Sequence, residues 1–220
     1  MKKFIVKKIP KAINTYKVLF WDFDGVIKES VDVKTQAYIK LFENFGSEIA
    51  EKVKQHHIAN GGMSRFEKIP IYGKFAGIEF DNKQISEYSE KFSKLALQGV
   101  LDSEWVPGVE SYIRSNQHKQ IFIVVSATPQ DELNSILHSL KLSSCFNTIY
   151  GAPLSKSVAI ATSLRNLDVT TSDCLMIGDA LADLEAANSN NIDFILRLHS
   201  FNQEIFTNYT GTSIYNFSEL

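Results

Sequence analysis

Cysteine is scarce in this chain: Cys145 and Cys174 are the only two in 220 residues. Their spacing fits neither a metal-ligand motif nor the disulfide framework of a small secreted domain, so reduced thiols in a cytoplasm are expected. Cys174 lies inside an apolar run and reads as core. Long hydrophobic runs are missing too. No stretch approaches the roughly 20 apolar residues that span a bilayer. The opening Met1-Lys2-Lys3-Phe4-Ile5-Val6-Lys7-Lys8 is broken by lysines too early for a signal peptide and reads as a short extension. Neither sign of charge is in excess, with 23 Lys and Arg against 25 Asp and Glu, so there is no basic field for nucleic acid. Internal repeats and low-complexity segments are absent. A soluble cytoplasmic protein with no membrane or nucleic-acid partner follows; its oligomeric state is not legible.

The stretch that organises the chain is Val18-Leu19-Phe20-Trp21-Asp22-Phe23-Asp24-Gly25. An apolar run breaks into two carboxylates one residue apart and then a glycine, the pattern of a buried strand ending at a charged turn. Ala37, Tyr38, Leu41, Phe42 and Phe45 then recur at helical spacing until Gly46. Ile49 and Val53 mark a second helix, Phe66, Ile71 and Phe75 a third interrupted by Pro70, and Ile85, Tyr88, Phe92 and Leu95 a fourth. No buried strand is predicted between Glu29 and Glu104. Beyond Trp105 the short runs Ile121–Val125, Cys174–Ile177 and Phe194–Leu196 alternate with helical pattern, which implies a parallel sheet covered on both faces. The expected fold is therefore α/β, Rossmann-like, with an inserted helical cap: residues 1–28 and 105–220 form the core and 29–104 the cap. The aromatic tail after His199 has no clear period.

In an open parallel sheet, ligands gather at the carboxyl ends of strands. Asp22 and Asp24 follow the first run, Ser126-Ala127-Thr128-Pro129 the second, Gly151-Ala152-Pro153-Leu154-Ser155-Lys156 the run at Thr148, and Gly178-Asp179 with Asp183 the run ending at Ile177. Each has a structural explanation. Asp-Gly turns are common; Thr128, Pro129 and Asp131 suit a helix start, leaving Ser126 as a turn hydroxyl; and Asp179 and Asp183 suit the positive end of a helix. Lys156 is less easily explained, because a cation in a first helical turn opposes the dipole unless an anion lies nearby. Four carboxylates converging on one edge would in turn repel one another without a metal.

Asp22-Phe23-Asp24-Gly25-Val26, Ser126, Lys156, and Gly178-Asp179 with Asp183, in that order, resemble the four motifs of the haloacid dehalogenase superfamily from about Val18 to Leu196. A helical insert after the first motif is similar to that superfamily's cap. Ala127 stands where asparagine often follows the motif's hydroxyl residue, and Lys156 follows Pro153 where many members have the lysine first. The resemblance implies that Asp22 is a nucleophile forming an aspartyl-phosphate and that Asp24 protonates the leaving alcohol and then activates water. It implies Mg²⁺ held by the Asp22 carboxylate, the Asp24 main-chain carbonyl and Asp179, with Asp183 behind them. Ser126, Ala127 and Lys156 would hold phosphoryl oxygens. Gly62-Met63-Ser64-Arg65 is similar to the substrate loop of β-phosphoglucomutase-like members, giving Gly62 and Arg65, with Lys34 on the first cap helix, as substrate-binding residues; a solvated loop arginine is the plain alternative. His56 and His57 diverge on a helix, so no metal is expected there. The expected activity is hydrolysis of a small phosphate ester, of a sugar or polyol; a phosphomutase and a silent binding module are the alternatives. Halide displacement is disfavoured because members that perform it lack an acid at the Asp24 position.

Overall fold

A computed structural model describes residues 12–218; the opening segment read as an extension, Met1 to Lys8, lies outside them. Strand β1 (Val18–Trp21) is buried along its whole length. Leu19 and Trp21 enter one apolar cluster and Val18 and Phe20 another, the two-residue alternation of a strand covered on both faces. Around it lie β2 (Ile121–Pro129), β3 (Thr148–Ala152), β4 (Cys174–Gly178), β5 (Asp193–Arg197) and β6 (Ser213–Ile214). Among the described residues these make one six-stranded sheet in the order β3-β2-β1-β4-β5-β6, parallel at every pair. The chain builds outward from β1 through β2 and β3, then returns to the other side of β1 for β4. The carboxyl ends of β1 and β4 therefore flank the switch in strand order, where such sheets bind ligands. Trp21 pairs with Val124 and Ile177, which puts the residues after each run at one edge. The α/β architecture expected from the sequence is the one observed.

After β1 the chain leaves the sheet for four helices, α1 (Val31–Phe42), α2 (Ser47–Ala59), α3 (Arg65–Phe75) and α4 (Asn82–Asp102). They share a small core that includes Tyr38, Phe42, Val53, Ile69, Tyr72 and Phe92. The chain leaves and re-enters side by side, with Glu29 N donating to Glu104 O (2.9 Å) and Val106 N to Ile27 O (3.1 Å). Helices α5 (Val109–Ser115), α6 (Gln130–Ser139), α7 (Lys156–Leu167) and α8 (Leu181–Ser189) complete the α/β part. None of the described helices is long and apolar enough to cross a membrane.

Two features differ from the pattern reading. Pro70 does not interrupt α3: Ile69 and Tyr72 are fully buried on either side of it, and the carbonyl deprived of a partner belongs to the exposed Phe66. The buried face of α3 is Arg65, Lys68, Ile69, Tyr72 and Gly73, with Ile71 and Phe75 packed partly buried beside it and Phe66 exposed, so two cations point inward. The aromatic tail is structural. Phe206 and Tyr209 pack on the Val18–Phe20 side, and Phe217 sits 5.3 Å from Trp21, ring centre to ring centre. Phe217→Ala should therefore cost about 3–5 kcal/mol, seen as a lower urea midpoint with an unchanged m value.

Candidate active site

Asp22 continues the ladder beyond β1, its N–H donating to Ile177 O (3.0 Å). Phe23, Val26 and Ile27 are fully buried and anchor the turn that carries Asp24. Gly25 has φ +75°, and a Cβ on it would lie 2.3 Å from Asp179 Oδ2, so only glycine lets the two loops meet. The two acids then face different neighbours. Asp24 accepts from Ser30 Oγ (2.6 Å) and Lys34 Nζ (2.5 Å), with Thr128 Oγ1 at 3.3 Å. Burial pushes its carboxyl up, but the Lys34 charge and the bonds from Lys34 and Ser30 prevail and hold it below the usual range. Asp22 has Lys156 Nζ at 2.9 Å. There burial prevails over the lysine, with the charges of Asp183 and Asp24 adding to it, and pushes the carboxyl up to about 7.

Lys156 opens α7 behind the N-cap Ser155, and its awkward place in the dipole is answered by two carboxylates, Asp22 and Asp183 Oδ1 at 2.6 Å. Burial lowers its pKa, but these two charges outweigh that and keep it an ammonium. Asp183 is fully buried, and its other oxygen accepts from Ala180 N (3.1 Å). Asp179 lies beside His199 Nε2 (2.8 Å), and its main-chain oxygen accepts from Asn202 Nδ2 (2.8 Å). Burial raises the carboxyls of Asp179 and Asp183 as well.

Oxygens of Asp22, Asp179 and Asp183 lie within 4.8 Å of one another. Two ligands across a divalent ion bound at about 2.0–2.6 Å are roughly 4–5 Å apart, so a hard cation fits both the spacing and the all-oxygen donor set. The Asp24 carboxylate points away from this trio, towards Lys34 and Thr128.

Other positions differ from expectation. Thr128 caps no helix: β2 runs on to Pro129 and α6 begins at Gln130. Thr128 Oγ1 instead receives Lys34 Nζ (2.9 Å), while Ser126 Oγ is taken up by Thr128 N (3.1 Å). Ala127 and Thr128, rather than Ser126, line the cavity between the cap helices and the sheet edge. Gly62 reaches over from the cap: with φ +78°, its Cβ position lies 2.9 Å from Ala182 Cβ and 3.6 Å from Lys156 Nζ. Arg65 is buried rather than solvated and borders the cavity with its guanidinium already engaged. Its guanidinium makes two bonds to Glu132 on α6 (2.9 and 2.6 Å), contacts Ser93 and covers the ring of Phe92. Lys34 likewise has its counter-charge in Asp24. His199 and Asn202 went unnoticed in the sequence, although they follow the apolar run Phe194–Leu196 as the other site residues follow theirs.

A family model described as "Haloacid dehalogenase-like hydrolase" matches residues 18–197. The chain belongs to this family. No curated protein matches it in sequence, but its fold has many solved counterparts. A predicted phosphoglycolate phosphatase from Haemophilus somnus 129PT is similar with TM-score 0.73 at 16% identity, over 94% of this chain and 97% of that one. CbbY from Rhodobacter sphaeroides, in complex with xylulose-(1,5)bisphosphate, gives 0.74 at 15%, over 93% and 96%. A β-phosphoglucomutase from Clostridium difficile gives 0.71 at 21%, over 93% of each chain. At these identities the likeness establishes the fold of this haloacid dehalogenase-like hydrolase.

The raised carboxyls set a pH dependence. Folded Asp22 keeps its proton to about 7 against an ordinary 3.8, so its contribution to stability is full below the ordinary value and is lost as pH rises through 7. A divalent cation held by the cluster would take the place of those protons. Adding one should raise the Tm clearly at pH 8 and little at pH 5, as measured by calorimetry against a chelator control. Glu132→Ala strands the Arg65 guanidinium, whose side chain is 3% exposed, and should cost about 3–5 kcal/mol. Arg65→Met with Glu132→Leu should recover most of that in denaturant titrations.

Proposed function

We propose that this hydrolase is a Mg²⁺-dependent phosphatase that cleaves a small phosphate ester through an aspartyl-phosphate on Asp22. The observation that carries the reading is the contact of Lys156 Nζ with Asp22 Oδ1 at 2.9 Å, with Asp179 and Asp183 in reach of the same carboxylate. Asp22, Asp179 and the main-chain oxygen of Asp24 would hold Mg²⁺, with Asp183 adjoining, and the ion would supply positive charge against the carboxylates and the phosphoryl oxygens. Lys156 and the Ser126–Ala127–Thr128 turn would receive the transferring group's oxygens. One oxygen of Asp22 is left to attack phosphorus.

Asp24 carries the protons. In the closed arrangement Lys34 holds it as a carboxylate, the form that takes a proton from the hydrolytic water. An anionic phosphoryl group beside Lys34 gives that ammonium a second partner and weakens its hold, so that Asp24 can carry the proton the leaving alcohol needs. The cavity is small, about 90 Å³, which favours the small end of the sugar and polyol phosphates. Two free cysteines accord with a cytoplasmic setting.

A phosphate-release screen over sugar, polyol and nucleotide monophosphates, with and without Mg²⁺, tests this. Release should need the metal and should fall about a thousandfold or more in Asp22→Asn. Turnover that always conserves organic phosphate would instead identify a phosphomutase, and a wild type inert to the whole panel a binding module.

A further inference from the structure

Three cations of the helical insert, Lys34, Arg65 and Lys68, line the cavity. Two of them are already matched, Lys34 by Asp24 and Arg65 by Glu132. Lys68, one helical turn beyond Arg65, is not. It is 2% exposed, and its close polar partner is His57 Nδ1 at 2.8 Å, with the face of Tyr38 at 5.7 Å. Among the described residues it forms no ion pair with a carboxylate. Packing does not explain it, since a methionine would fill the same volume without the cost of an unmatched buried charge.

The surroundings confirm the imbalance. Lys68 is faced by Lys34 and Tyr38 from α1, His57 from α2, Glu67 from its own helix, and Asp24 and Asp179 across the cavity. Burial, with Lys34 second, lowers its pKa to about 7 in spite of those acids. His57 is held well below its ordinary value by burial and by the charges of Lys68, Lys34 and His56. It is therefore neutral, and with Nδ1 accepting from the ammonium its own proton is on Nε2. An ammonium has three donors; His57 takes one.

We propose that Lys68, oriented by His57, is the heart of a second anion subsite on the cap side of the cavity, so that the preferred substrate is a phosphomonoester with another negatively charged group at its far end. This rests on the phosphatase reading for the other end. A carboxylate and a second phosphate share the chemistry, and the test separates them.

Binding is measured by calorimetry in Asp22→Asn with Mg²⁺, so turnover is not required. The probes are 3-phosphoglycerate, propane-1,3-diol bisphosphate and glycerol 3-phosphate. Adding Lys68→Met should weaken binding of at least one doubly anionic probe by about tenfold to a hundredfold, while that of glycerol 3-phosphate changes less than about twofold. The probe that loses more identifies the far group. The Tm of Lys68→Met at pH 7 should equal or exceed the parent's, because an unmatched charge has gone. Lys68→Gln serves in the same way if the methionine variant fails to fold. Equal losses for all three probes, or no preference for a doubly anionic probe in the parent, would overturn the subsite. A wild type that releases phosphate from nothing would sink the phosphatase reading alone and leave the binding result standing.

Discussion

Three buried carboxylates share one ammonium at the carboxyl edge of β1 and β4, and most of the structure follows from that imbalance. Asp22 follows β1, Asp179 follows β4 and Asp183 lies in the first turn of α8, and Lys156 bridges Asp22 and Asp183. Such a cluster is tolerable only when each member is held in place and when further positive charge, protons or a cation, can enter. The parallel sheet supplies the holding. Its switch in strand order brings the ends of β1 and β4 together, Gly25 permits close approach, and His199 and Asn202 fix Asp179 from behind.

The helical insert answers the core with charge as well as shape. Lys34 meets Asp24 and Arg65 meets Glu132, so two ion pairs with little exposure span from cap helices to the α/β part. Their burial makes each pair dependent on both members being present, since removing one strands the other's charge. The Gly61–Gly62 turn then lies against Ala180, Ala182 and Lys156, completing the enclosure.

Much of this was legible in the sequence, and for physical reasons. The strands are apolar on both faces, so the sheet announced itself, and Asp22, Asp24, Asp179, Asp183 and Lys156 stood out as charges directly after such runs or against a helix dipole. What was hidden depended on partners distant in sequence. Arg65 looked available because Glu132, 67 residues later, gives no local sign of pairing with it. Lys68 gives no local sign of its burial, since a lysine on a helix ordinarily faces water, whereas here the inward face of α3 carries two cations. Thr128 mimicked a helix cap so well that its hydroxyl beside Lys34 and Asp24 was not anticipated. Pro70 read as a break, but the packing of Ile69 and Tyr72 outweighs one missing hydrogen bond.

Phe217 has a consequence for how the molecule is made. It packs beside Trp21, nearly 200 positions earlier, and β6, the last strand described, zips onto β5 only once residues 213–214 are present. A chain emerging from the ribosome at about 5–20 residues per second can assemble helices 31–102 early, since their contacts are local. The strand that bears the acids must wait with Trp21 uncovered on that side until residue 217 has been translated.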